Sequence, residues 1–154
     1  MCGIVGIYLK NKKYHKDLGK FLSGMMNNMA TRGPDSAGFA IYSPEKKNKF
    51  KYSVCFTNIN SSEVKKNLIK KIKDAKVKIV SDHIIIETSL NSSKVLNIIN
   101  KFENLSLVGY GNSIEIFKQV GNPKDVVKNF NLEKLSGSHA IGHTRMATES
   151  AITT

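Results

Sequence analysis

A cysteine stands directly behind the initiator methionine and opens a short apolar run, Met1-Cys2-Gly3-Ile4-Val5-Gly6-Ile7. Methionine ahead of a small residue is ordinarily trimmed. Trimming here leaves a thiol and a free α-amino group on one residue, and that amine, with an ordinary pKa of about 8, can act near neutral pH as the base for its own nucleophile. The bland alternative is a small buried cysteine at the start of an edge strand, since free cysteine is mostly buried. Residues 3 to 8 are β-branched enough to read as a buried strand in either case.

The remaining composition narrows the options. At 154 residues the chain has one domain's length and can build one substantial core. Hydrophobic residues, 40% of the total, are spread along it. No run approaches the roughly 20 apolar residues that span a bilayer, and no signal-peptide pattern follows the N-terminus, so the expectation is a cytoplasmic protein without a membrane partner. Two cysteines 53 positions apart fit a reducing compartment, and without close cysteine or histidine neighbours they offer no zinc site. Cys55 reads as a structural core residue.

A net charge of +12 invites a nucleic-acid reading, because a basic surface releases counterions on meeting phosphates. Against it, the excess is lysine scattered through asparagine- and isoleucine-rich sequence. Arg32 and Arg145 are the two arginines, both inside glycine-containing motifs, whereas arginine is the preferred bidentate reader of bases and phosphates. No specific nucleic-acid partner is expected.

Leu18, Phe21, Leu22, Met25, Met26 and Met29 form one apolar stripe on a helix expected over residues 16 to 30. The helix runs into Thr31-Arg32-Gly33-Pro34-Asp35-Ser36-Ala37-Gly38, a shaped loop in which Gly33-Pro34 ends the helix and Asp35-Ser36 offers oxygens to turn backbone. Taken alone, that loop is a turn before a strand at 39 to 42, which the pattern pairs with a strand at 50 to 56. A second amphipathic helix begins at Ser61-Ser62, read as N-cap candidates, and strands follow at 77 to 80 and 83 to 89. A third helix is expected over 93 to 103, and a hairpin over 105 to 108 and 113 to 119 around Gly109-Tyr110-Gly111-Asn112. That glycine loop lacks the lysine-serine or lysine-threonine end of a phosphate loop. Asn122-Pro123 caps and opens a short helix over 124 to 130.

The closing motif, Gly142-His143-Thr144-Arg145-Met146-Ala147-Thr148-Glu149-Ser150, delivers an arginine flanked by hydroxyls on a strand of small and apolar residues. A planar guanidinium is a good receptor for a carboxylate, although an internal ion pair would use the same residues.

The three motifs MCGIVGI, RGPDSAG and GHTRMATESA, in this order, resemble the class II glutamine amidotransferases, a family of N-terminal nucleophile hydrolases. The last motif is more similar to subunits related to glutamate synthase and N-methylglutamate synthase than to the sugar-phosphate or phosphoribosyl branches. The resemblance implies an α+β fold, a four-layer αββα sandwich, with residues 76 to 120 as a family-specific insertion. It implies that Cys2 is the nucleophile attacking the side-chain amide of glutamine. Arg145 would hold the substrate α-carboxylate, with Met146 and Thr148 lining the same pocket. Arg32, Gly33 and Asp35 would form the loop beside the nucleophile, and His143 reads as structural.

Ammonia released in a glutaminase half-reaction would pass to a partner synthase. No metal or organic cofactor is implied, since flavin and iron–sulfur centres belong to partner subunits of that branch. In the family a His-Asn-Gly segment and an acidic residue follow the arginine motif, and neither occurs in these 154 residues. The expectation is therefore a partial domain, truncated at the C-terminus and inactive as it stands, because a lost oxyanion-hole donor costs about 2.7–4 kcal/mol. The alternative is a non-catalytic structural or regulatory subunit of the same fold.

Overall fold

A computed structural model describes residues 2–58 and 60–147. The chain divides into two compact units, one made of residues up to Pro44 together with those from Ile116 onward, the other of Glu45–Glu115. Each contains a four-stranded sheet.

In the first unit, strands β1 (Gly3–Tyr8), β2 (Ser36–Tyr42), β7 (Ile114–Val120) and β8 (His139–Arg145) assemble in the order β1-β8-β2-β7. β8 is antiparallel to both of its neighbours, with Gly3 opposite Thr144 on one side and Ser36 opposite Arg145 on the other. Helices α1 (Leu18–Asn28) and α4 (Pro123–Asn129) supply the apolar cover. Leu18, Leu22 and Met26 of α1 are fully buried, which is the stripe the sequence shows, whereas Phe21 is 44% exposed. Phe39, Phe117 and Phe130 close the core as a cluster with ring centroids 5.1–5.8 Å apart. Burying such a group of rings is a large part of what holds a small sheet to its helices.

The α-helix begins later than the expected residue 16, because Asn11 accepts from the Lys13 amide and starts a 3-10 turn over Lys12–Asp17. The α-helix follows it from Leu18. Asn122 caps α4 through the Lys124 amide with Pro123 in the first turn, as the residue types require.

In the second unit, β3 (Phe50–Phe56), β4 (Lys76–Val80), β5 (His83–Thr88) and β6 (Leu105–Gly111) run in the order β4-β5-β3-β6, with α2 (Ser61–Lys71) and α3 (Ser92–Ile99). The core joins Tyr52, Val54, Ile84 and Ile86 from the sheet to Val64, Leu68, Val95 and Ile99 from the helices. Cys55 is half-buried on β3. Asn60, not Ser61 or Ser62, caps α2 by accepting from the Ser62 and Glu63 amides. The third helix stops at Ile99 rather than continuing to residue 103.

Two expected pairings are overturned. β2 and β3 do not form a hairpin: β2 lies between β8 and β7, and β3 lies between β5 and β6. Lys51 through Val54 are buried in succession, so β3 takes an interior position, with partners from far along the chain on both edges. Likewise 105 to 119 is not a hairpin. Gly109, Tyr110 and Gly111 extend β6, where Tyr110 faces Tyr52 with ring centroids 5.6 Å apart, and β7 then joins the other sheet. Residues 76 to 111 thus supply three of the four strands of the second unit's sheet. Among the described residues no helix is long and apolar enough to cross a membrane.

Candidate functional site

Antiparallel pairing of β1 with β8 brings the two ends of the chain together. Gly3 lies opposite Thr144, Cys2 immediately precedes that pair and Arg145 immediately follows it, so nucleophile candidate and guanidinium share one end of the first unit's sheet. Cys2 is exposed with a free thiol. Arg145 is half-buried and Met146 is 42% exposed. Thr148 lies outside the described residues.

The loop after α1 is fastened to the same end. Gly33 rests on the backbone of β8, where a Cβ on it would stand 2.6 Å from both the Arg145 nitrogen and the Thr144 carbonyl carbon. Any side chain there would push the loop off the strand, which is why this position is glycine. Pro34 bridges to Arg145, and the Asp35 amide donates to the Arg145 carbonyl at 3.1 Å. The Asp35 carboxylate then accepts from the Ala147 amide at 2.7 Å, while the Asp35 carbonyl accepts from the Gly121 amide at 2.8 Å. Asp35 therefore ties together both sides of the turn that follows the arginine. A charge-assisted bond to a backbone amide is among the stronger ones available for such a task. Arg32 is exposed at the edge of this loop.

Strand alternation sorts β8 into two faces. Ala140, Gly142 and Thr144 are buried towards α1, whereas His139, Ile141, His143 and Arg145 point to the opposite face. On that second face a groove of about 390 Å³ is lined by Gly38, Ala40, Lys118, Ile141, His143 and Arg145, among others. His143, expected from sequence to be structural, is exposed there beside Arg145. The groove mixes an apolar floor with cationic groups at its rim, an arrangement suited to a small ligand carrying a carboxylate. Lys118 is a lining residue that the sequence does not single out, because its signal is a cross-strand register and not a local motif, and Ser36, which reads there only as a turn oxygen, lines the same groove. Among the described residues no group of three or more His, Cys, Asp or Glu side chains is placed to hold a metal ion.

No protein-family model matches the sequence. It is 41% identical over 160 aligned positions to the "Glutamine amidotransferase-like protein GlxB" of Rhizobium meliloti, an alignment covering 100% of this chain and 52% of that protein. It is 30% identical over 169 positions to a protein of Methanothermobacter thermautotrophicus named "Putative glutamine amidotransferase", covering 99% of this chain and 54% of the relative. The chain spans about half the length of the curated relatives it matches, and both of them bear the glutamine amidotransferase name.

Proposed function

We propose that this chain is the glutamine-hydrolysing part of a class II glutamine amidotransferase, built as an N-terminal nucleophile hydrolase of the four-layer αββα type. The observation that carries the reading is the single sheet end at which Cys2, Arg145 and the Gly33–Asp35 loop converge. The names of the two relatives support it.

Once Met1 is removed, the Cys2 α-amine takes the thiol proton and the thiolate attacks the carboxamide carbon of glutamine. The tetrahedral intermediate collapses as the amine-borne proton passes to the leaving ammonia, leaving a γ-glutamyl thioester on Cys2. Water, deprotonated by the same amine, releases glutamate and regenerates the thiol. Arg145 grips the α-carboxylate through two parallel bonds, with Met146 beside it and Thr148 lining the same pocket as the resemblance implies, and thereby fixes the distance from carboxylate to amide. Asp35 holds the turn behind Arg145, and Arg32 borders the opening. Ammonia goes to a synthase partner of the glutamate synthase-like branch, and the glutaminase step itself uses no cofactor.

The resemblance puts the oxyanion donors downstream of the Arg145 motif, so the test uses the natural polypeptide. It is made as a fusion cleaved immediately before Cys2, and glutamate release from glutamine is followed. The wild type is expected to turn over and to be inactivated by a glutamine-like electrophile attached at Cys2. Cys2→Ala should lose at least about 10³-fold in kcat, because the nucleophile and its proton path are gone. Equal activity in the two proteins would remove Cys2 from the mechanism.

A further inference from the structure

We infer that Thr144 is a positioning residue for the nucleophile: its Oγ1 accepts a hydrogen bond from the α-amine of Cys2 once Met1 is lost, and so holds that amine beside the thiol. This rests on reading Cys2 as an N-terminal nucleophile.

Thr144 is 1% exposed, and its hydroxyl oxygen is buried with no hydrogen-bond partner among the described residues. Buried hydroxyls almost always find one, and an orphan asks for an explanation. The surroundings offer little. Thr144 sits directly across from Gly3, with its oxygen 3.0 Å from where a Gly3 Cβ would stand, and the Met29 thioether closes the same space with Sδ 3.5 Å from that point. On the Gly3 side the hydroxyl thus faces bare backbone and an apolar side chain. Gly3 adds no side-chain donor, and the next group along the chain towards the terminus is Cys2. Before processing, the Cys2 nitrogen is an amide in a continuous peptide. After processing it is a terminal amine with two or three hydrogens, free to turn about its own Cα towards the strand face where the hydroxyl waits. An acceptor left empty in the precursor and filled in the mature protein is what a maturation-dependent contact looks like.

The consequence is opposite in sign for the two forms. Replacing Thr144 by the isosteric valine removes an unsatisfied hydroxyl from the precursor and a used one from the mature protein. The test compares the uncleaved fusion with the protein cleaved before Cys2, each as wild type, T144V and T144S. In the uncleaved form T144V should raise Tm by roughly 2–4 °C, and in the cleaved form it should lower it. Cleaved T144V should also lose roughly ten- to hundredfold in kcat with KM for glutamine unchanged, and T144S should restore both.

A Tm change of the same sign and size in both forms, with kcat within twofold of wild type, overturns the inference. So does an uncleaved T144V that fails to fold, since that would mean the hydroxyl is already engaged before processing. Wild-type protein without glutaminase activity would count against the proposed function instead. The paired Tm measurement still decides the role of Thr144 in that case.

Discussion

Arg145 is one of two arginines in the chain, and both occur in the motifs that meet at the candidate site, while the other 22 of its 24 lysines and arginines are lysines. The protein thus reserves its planar, forked cation for one place. Lysine at position 145 would keep the charge but replace two fixed parallel bonds with a mobile point charge. Arg145→Lys should therefore raise KM for glutamine roughly ten- to hundredfold, the scale of one charge-assisted hydrogen bond, and leave kcat nearly unchanged. Its companion measurement is alkylation of Cys2 by iodoacetamide, a reagent with no carboxylate to bind, whose rate should match wild type. A fall in alkylation rate equal to the fall in kcat/KM would show that Arg145 acts on the thiol and not on the substrate. The candidate site residues that stand out in the sequence are those whose local chemistry is unusual: a cysteine behind the first methionine, a glycine-proline-aspartate loop, an arginine among hydroxyls. Thr144 reads in the sequence only as one of the hydroxyls flanking Arg145, because threonine in a strand is ordinary. Only the pairing with Gly3 and the lack of a partner distinguish it.

Elements were legible where the hydrophobic period is strong, and pairings were not. β3 over Phe50–Phe56 and the buried stripe of α1 follow from residue type and helical spacing alone. β1 over Gly3–Tyr8 follows from its β-branched content, but it lies at the sheet edge with Ile4 74% and Tyr8 67% exposed, and is not the buried strand expected. Expecting neighbours in sequence to be neighbours in a sheet failed at both β2/β3 and β6/β7, because each of these strands finds its partners through contacts tens of residues away. Nothing in a short window encodes that choice. The second unit also carries a fastening that the pattern could not announce. Asp74, in the left-handed region at φ 55° between α2 and β4, pairs with the Lys49 ammonium ahead of β3 and accepts from the Thr88 hydroxyl at 2.7 Å and the Ser89 amide at 3.2 Å after β5. The bond from Lys49, followed by those from Thr88 and Ser89, holds its carboxyl below the ordinary carboxylate range in the folded protein. A depressed folded-state value means the contribution to stability is complete above the unfolded pKa of about 3.9 and disappears as pH falls through and below it. Asp74→Asn keeps a residue that tolerates positive φ but removes the charge. The gap in Tm between wild type and D74N should be widest at neutral pH and shrink steadily below about pH 4. A gap that stays constant down to pH 2 would mean that the carboxylate's charge is not what fastens these elements.

For the whole chain, the net charge of +12 is spread over both units and rests on lysine. Lysine ammoniums neutralise phosphates but read no base edges, so the physics predicts attraction to nucleic acid without recognition. That attraction is counterion release and scales with the logarithm of salt. A surface making six to ten phosphate contacts loses about 10³–10⁵ in affinity between 50 and 200 mM salt. Fluorescence anisotropy with a labelled duplex and a labelled single strand, each in two unrelated sequences, should show binding at 50 mM salt that all but vanishes at 200 mM. The two sequences should agree within about threefold throughout. Saturating oligonucleotide at 50 mM salt, where it binds, should also leave the glutaminase rate of the cleaved protein unchanged, because Cys2 and Arg145 sit at one sheet end and depend on register, not on the diffuse field. A preference of more than tenfold for one sequence, persisting at 200 mM salt, would require base-edge contacts that a lysine-based surface does not explain. It would make nucleic acid a specific partner of this protein and its charge a functional feature in its own right.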